Sequence, residues 1–169
     1  MTPAASLPPT DSTQDGVSLN VYRNTVRAKV LDAFDRLNAR DPGGALDLMS
    51  DDVHYWYSGE NALGGERVSK AGVEKWFGRL FRLFRSRFVI RSVEVTGWPW
   101  STTVTTVFED HVTPPHGAPY VNACVQVARL RWGKAYAIRT YVDTARLEAV
   151  LARLAENGVE EAVAPPILE

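Results

Sequence analysis

The residues best suited to chemistry crowd into one short run, Asp52-Val53-His54-Tyr55-Trp56-Tyr57. Read as a β-strand, the run places Val53, Tyr55 and Tyr57 on one face and His54 and Trp56 on the other. On a pocket wall, the phenols of Tyr55 and Tyr57 would donate hydrogen bonds to a ligand oxygen while their rings supply apolar surface. The same positions equally suit amphipathic core residues with their hydroxyls at a cavity edge. His54 and Asp52 stand two apart and so share a face. Because an imidazole titrates near neutrality, they form the best acid–base pair in the composition. An exposed surface pair has the same spacing.

A second set lies in Pro119–Asp143, where two β-prone runs flank the turn Arg131-Trp132-Gly133-Lys134. Alternation in the first arm gathers Tyr120, Asn122, Cys124, Gln126 and Ala128 on one face, with Val121, Ala123, Val125 and Val127 on the other. The first face is small and polar, which suits a cavity wall better than a solvent face. The buried amides of Asn122 and Gln126 need partners, and a ligand or a trapped water can supply them. Thr140 has the opposite parity from Arg139 and Tyr141 and joins that wall. Arg139 is then an outer-face or interface residue. With Tyr120 and Trp76, these residues make up the expected ligand contacts.

Other chemistries find little support. The three histidines and their nearest carboxylates, Asp52, Glu109, Asp110 and Asp143, have no recognised metal-ligand spacing. Gly59, Gly64 and Gly65 do not form a strand–Gly–helix phosphate loop, and no nucleophile elbow is present. No cofactor is expected. A net charge of -1 gives no general attraction for nucleic acid or anionic lipid, and no apolar run approaches bilayer length. The single cysteine, Cys124, excludes an intrachain disulfide and reads as a buried thiol. The first residues lack the basic and apolar regions of a secretory signal, so a cytoplasmic protein is expected.

The elements that must hold these residues follow from periodicity. A length of 169 residues suits one domain with its own core. Residues 1–16 read as a loose tail, 17–158 as the domain and 159–169 as a second tail, unless that segment folds back. Val26, Val30, Ala33, Phe34 and Leu37 predict an amphipathic helix over Ser18–Arg40, ended by Asp41-Pro42-Gly43-Gly44. A short helix over Ala45–Met49, the strand Val53–Gly59 and a loop over Glu60–Val68 follow. Ser69 is the expected N-cap of a helix whose apolar stripe is Val73, Trp76, Phe77, Leu80, Phe81 and Phe84. Strands are predicted over 86–96, 101–111 and the two hairpin arms. A final helix over Thr144–Asn157 would be capped by Asp143. Helices segregated from a mostly antiparallel sheet make the class α+β, with a curved sheet leaving a pocket against the long helix.

From Ser18 to Leu154 the chain resembles the nuclear-transport-factor-2-like superfamily, in its SnoaL-like or ketosteroid-isomerase-like branch. The resemblance rests on the order and spacing of LNARDPGGAL, LMSDDVHYWYSG, SKAGVEKWFGRLF and GKAYAIRTYVDTARL. It implies a cone-shaped α+β barrel with a deep apolar pocket, commonly a homodimer through the sheet. It also implies a small apolar organic ligand, with cofactor-free isomerisation, cyclisation or dehydration among the activities. A non-catalytic binding or assembly domain is the alternative within the superfamily. Placed position by position, the ketosteroid isomerase base falls on Tyr57 and its two oxyanion donors near Ala33 and Gln126. A carboxylate base and two acidic donors are therefore missing from those positions, which speaks against classical ketosteroid isomerisation. The last-strand Asp of limonene-epoxide-hydrolase-like members falls near Thr140, which speaks against that chemistry too.

Overall fold

The computed structural model describes the backbone from Ser12 and the side chains from Gly16 to Glu169. Helix α1, Ser12–Asn38, begins earlier than its apolar spacing predicts, so residues 12–16 belong to a helix rather than to the expected tail. The rest of that tail lies outside the described residues. Val26, Ala33, Phe34 and Leu37 are buried, whereas Val17 and Val21 on the first turns stay exposed. The helix stops at Asn38–Pro42, where Arg40 takes a left-handed conformation and Pro42 cannot continue the ladder. Helix α2, Gly43–Asp47, leads directly into β1, Met49–Tyr57.

The expected loop over Glu60–Val68 contains β2, Gly65–Arg67, which pairs antiparallel with β1. Three residues are too few to show an alternation, so only the tertiary pairing reveals this strand. Ser69 caps α3, Lys70–Leu83, accepting from the Gly72 amide at 3.0 Å. Glycine stands where a capping box would place Glu because a Cβ there would sit 1.6 Å from the Glu169 carbonyl oxygen. The last residues thus fold back over α3. Ala162 is buried, Glu161 meets Arg82, and Arg79 donates to the Pro165 carbonyl at 2.7 Å.

Strands β3 (Arg85–Trp98), β4 (Ser101–Thr113), β5 (Tyr120–Arg131) and β6 (Lys134–Val142) form the expected meander. Helix α4, Thr144–Glu156, closes the chain behind its Asp143 cap, which accepts from the Arg146 amide at 3.2 Å. The sheet order is β2-β1-β6-β5-β4-β3, with β1 parallel to β6 and every other pair antiparallel. The two end strands do not meet, so the curved sheet wraps α1 and α3 without closing. This is an α+β fold with its core inside the curve. Along β4, Thr102, Val104, Thr106, Phe108, Asp110 and Val112 all turn inward. No described helix is long and apolar enough to cross a membrane.

Candidate active site

Between α1, α3 and the inner sheet face lies a cavity of about 100 Å³. Its walls are mostly apolar, with Phe34 from α1, Trp76 and Phe77 from α3, and Phe108 and Ile138 from the sheet. Its polar lining consists of Tyr55, Tyr57, Thr106, Asp110, Gln126 and Thr140. Tyr55 and Tyr57 arrive on the inner parity of β1, as their alternation predicts. Both rings pack on Trp76 at 5.1 and 5.2 Å between centroids. Thr140 accepts from the Gln126 side-chain amide at 3.0 Å and points its hydroxyl at Tyr55 Oη, 3.5 Å away. Burial pushes the Tyr55 phenol up to about 12 and holds the Tyr57 phenol well above its ordinary value. At neutral pH both are therefore protonated donors. Tyr57 Oη has no hydrogen-bond partner among the described residues.

Asp110 is the group the sequence reading passed over as a catalyst. It is 7% exposed, pairs across the sheet with Asn122 and Phe88, and lines the cavity. Ser86 Oγ donates to its Oδ2 at 3.1 Å, while its Oδ1 is enclosed with no partner among the described residues. Desolvation by the apolar walls pushes the carboxyl up to about 6, against smaller opposing effects of the Ser86 hydrogen bond and His111. A carboxyl that ionises near neutrality inside an apolar cavity can both take and return a proton. Its signal was present in the sequence. In VTTVFEDHVT the inward parity runs Val104, Thr106, Phe108, Asp110, Val112, which puts one acid among residues meant for the core.

The other expected site residues divide. Gln126, Thr140 and Trp76 do line the cavity. Asn122 does not: its Oδ1 accepts from the Asp143 amide at 2.8 Å and its Nδ2 donates to the Asp143 carbonyl at 3.3 Å. That amide is used to pin the β6–α4 junction, so it has no need of a ligand. Tyr120 lies outside the lining, with its hydroxyl buried and without a partner among the described residues, and burial raises its phenol. His54 and Asp52 are both exposed and do not pair. His54 Nδ1 instead lies 3.2 Å from Glu66 Oε1, a partner brought alongside by the unforeseen β1–β2 pairing. Arg139 sits on the outer face, its guanidinium 5.4 Å above the Trp56 ring. Cys124 is buried and its thiol is pushed up to about 12, again by desolvation.

Behind the Tyr55 and Trp76 rings lies Arg67, fully buried and without a carboxylate partner among the described residues. It donates to the carbonyl oxygens of Leu63, Gly64 and Gly65, so its guanidinium holds together the loop that follows β1. Gly64 fits there because a Cβ would stand 1.9 Å from the Gly59 carbonyl oxygen.

Residues 30–138 match the SnoaL-like domain family, and the chain belongs to it. Solved structures with the same fold include an NTF2-like protein of unknown function from Burkholderia pseudomallei. It is 19% identical, with a TM-score of 0.67 over 74% of this chain and 95% of that one. TerC, co-crystallised with polyporic acid, is 22% identical with a TM-score of 0.60, over 74% and 96% of the two chains. A putative polyketide cyclase from Xanthomonas campestris is 16% identical with a TM-score of 0.56, over 73% and 94%. No curated protein matches the chain. The architecture is therefore NTF2-like, as the sequence resemblance implies; at these identities the structural likenesses speak for the fold alone.

Proposed function

We propose that the protein binds a small apolar carbonyl compound in this cavity and moves a proton on it through Asp110. The observation that carries the reading is the Asp110 carboxyl, which is buried, ionises near neutrality and has one oxygen unpartnered. In its ionised form it takes a proton from the carbon next to the carbonyl. The electron pair moves onto the carbonyl oxygen as an enolate, and Tyr57 or Tyr55 donates a hydrogen bond to it. The carboxyl then returns the proton to another carbon or to a leaving hydroxyl. The first outcome is isomerisation and the second is dehydration, while attack of the enolate on a second carbonyl of the same molecule gives cyclisation, the carboxyl then returning its proton to the alkoxide so formed. Each balances with the substrate and these side chains alone. Membership of the SnoaL-like family, and structural likeness to a putative polyketide cyclase and to TerC, which was co-crystallised with polyporic acid, support this class of ligand.

A second reading, a binding or assembly domain without catalysis, draws on the cavity's size. About 100 Å³ is less than the roughly 150 Å³ that admits a benzene ring. The outer sheet face favours assembly of two copies, since Val107, Val121, Val125 and Tyr141 are all exposed there. Native mass spectrometry of freshly purified protein, followed by denaturation and small-molecule analysis, separates these readings. A retained carbonyl compound at one per chain supports the first. A ligand-free dimer that takes up nothing from a panel of cyclic diketones and aromatic polyketides supports the second.

A further inference from the structure

One end of the molecule consists of apolar turn tips ringed by cations. The β3–β4 turn carries Trp98, Pro99 and Trp100, and the β5–β6 turn carries Trp132. The Trp132 amide donates to the Pro99 carbonyl at 2.6 Å, so the two tips stand together. Their indoles form one row, with Trp98 stacked on Trp100 at 5.4 Å and Trp100 lying 6.2 Å from Trp132. Trp98, Trp100 and Trp132 are nevertheless 46%, 53% and 69% exposed. Helix α1 reaches the same end. Arg23 donates to the Gly97 carbonyl, the Tyr22 hydroxyl bonds that of Thr102, and the helical turns ahead of them expose Val17 and Val21. Trp132 and Gly133 form a two-residue turn with positive φ at both positions, 53° and 79°. That turn prefers Asn-Gly, so a bulky aromatic in it is strained, and exposure denies it any burial in return. Polar residues would suit both tips better, and exposed indoles held there point to something outside the chain.

The collar around the tips is cationic. Arg129, Arg131 and Lys134 surround Trp132 along the hairpin. Arg23 and Lys29 reach the tips from α1, the first bonded to Gly97 and the second lining a groove with Pro99 and Trp132. None of the five makes an ion pair among the described residues. Residues 95–108 and 119–142, which include both turns, hold no Asp or Glu. Asp47 and Asp51, the acids beside Lys134, pair with Arg36 at 4.0 Å and with Lys70 at 2.9 Å. The net charge of -1 over the whole chain therefore conceals a positive end.

We propose that this end docks on an anionic lipid surface, with the indoles at headgroup level and the cations against the phosphates. Indole suits that boundary because its ring is apolar and its N–H polar, and cations gain there from the negative surface potential. Charge complementarity selects an anionic partner. A single-stranded nucleic acid fits less well, since Trp98 and Trp100 cover each other's faces and leave little for a base to stack on. A second copy fits less well too. It would bring like charges together, and turn tips offer less than the area a stable dimer buries.

The test mixes the whole protein with vesicles of pure phosphatidylcholine, or of equal parts phosphatidylcholine and phosphatidylserine, and follows cosedimentation and tryptophan emission. The wild type binds the mixed vesicles about tenfold or more tightly than the neutral ones, and high salt removes the preference. Trp132→Asn weakens binding by about tenfold and keeps or raises the thermal midpoint, because Asn suits the turn. Arg131→Gln weakens it by about fivefold, the effect of one charge at such a surface, and gives the same reading should Trp132→Asn lower the midpoint. Val125→Thr, on the outer sheet face, leaves binding unchanged. No binding to the mixed vesicles, equal binding to both kinds, unchanged binding by Trp132→Asn or Arg131→Gln, or loss with Val125→Thr would each overturn the docking. So would a dimer that Trp132→Asn dissociates, or tighter binding to a single-stranded oligonucleotide than to vesicles, in favour of those partners. None of these measurements involves the cavity, so the docking and the proton transfer assigned to Asp110 stand or fall separately.

Discussion

Replacing Asp110 with Asn should make the protein more stable at pH 8 and leave no such gain near pH 4. The carboxyl ionises at about 6 in the folded chain against an ordinary value of 3.8. Below 3.8 both folded and unfolded chains hold the proton and the group contributes nothing. Between the two values only the folded chain holds it, so stability falls as pH rises. Above about 6 the penalty is complete. The gap between the two values amounts to about 3 kcal/mol. Asn carries no charge and escapes that cost, but its amide enters a pocket where one carboxylate oxygen already lacks a partner, which returns about 1–2 kcal/mol. A net gain of about 1–2 kcal/mol should remain at pH 8, or roughly 2–8 °C in Tm for a chain of this size. Urea unfolding of both proteins at pH 4, 6 and 8, followed by tryptophan fluorescence, measures it. A variant less stable than wild type at pH 8, or a difference that does not change with pH, would refute the reasoning that burial raises this carboxyl.

Three further outcomes follow from the packing around the site. Arg67→Ala strips the donors from the carbonyls of Leu63, Gly64 and Gly65 and should cost about 2–4 kcal/mol in urea unfolding. A loss under 1 kcal/mol on the same scale would mean that water replaces the guanidinium. Asn122→Ala frees the Asp143 backbone and should cost about 1–3 kcal/mol, with amide exchange accelerated at the start of α4. If ligand uptake falls while stability holds, the side chain has a binding role after all. Gly64→Ala drives a Cβ into the Gly59 carbonyl and should lower Tm by several degrees, roughly 2 kcal/mol or more; an unchanged Tm would show that the loop has room to yield.

Where local chemistry decides the structure, the sequence was readable. Both helix caps, Ser69 and Asp143, were evident from residue type and position, and each side chain accepts its expected amide. The hairpin faces followed from alternation, which β5 keeps from Asn122 to Leu130 except at Gln126 and Val127, both half-buried. What depends on distant partners was not readable. Asn122 turns away from the cavity because its partner is the backbone of Asp143, 21 residues on, while β2 and the His54–Glu66 contact exist only through strand pairing. Asp110 was overlooked for a different reason. The positions that the resemblance points to lie on α1, β1, β5 and β6, whereas this carboxylate stands on the inward parity of β4. Ionisation near neutrality comes from the aromatic and aliphatic walls around it, and these assemble only when α1 and α3 close on the curved sheet.

The central claim is that Asp110 moves protons next to a carbonyl, and proton NMR in deuterium oxide tests it most directly. Small ketones that fit the inner cavity, with acetylacetone and cyclopentenone first, would be incubated with the wild type and with Asp110→Asn. The wild type should exchange the protons beside the carbonyl faster than buffer, with a rate that climbs as pH passes through about 6 and the carboxyl ionises. Asp110→Asn should lose about 100-fold or more of that rate. Exchange no faster than buffer for every compound, or equal rates in wild type and variant, would contradict the account and leave the cavity as a binding or packing feature.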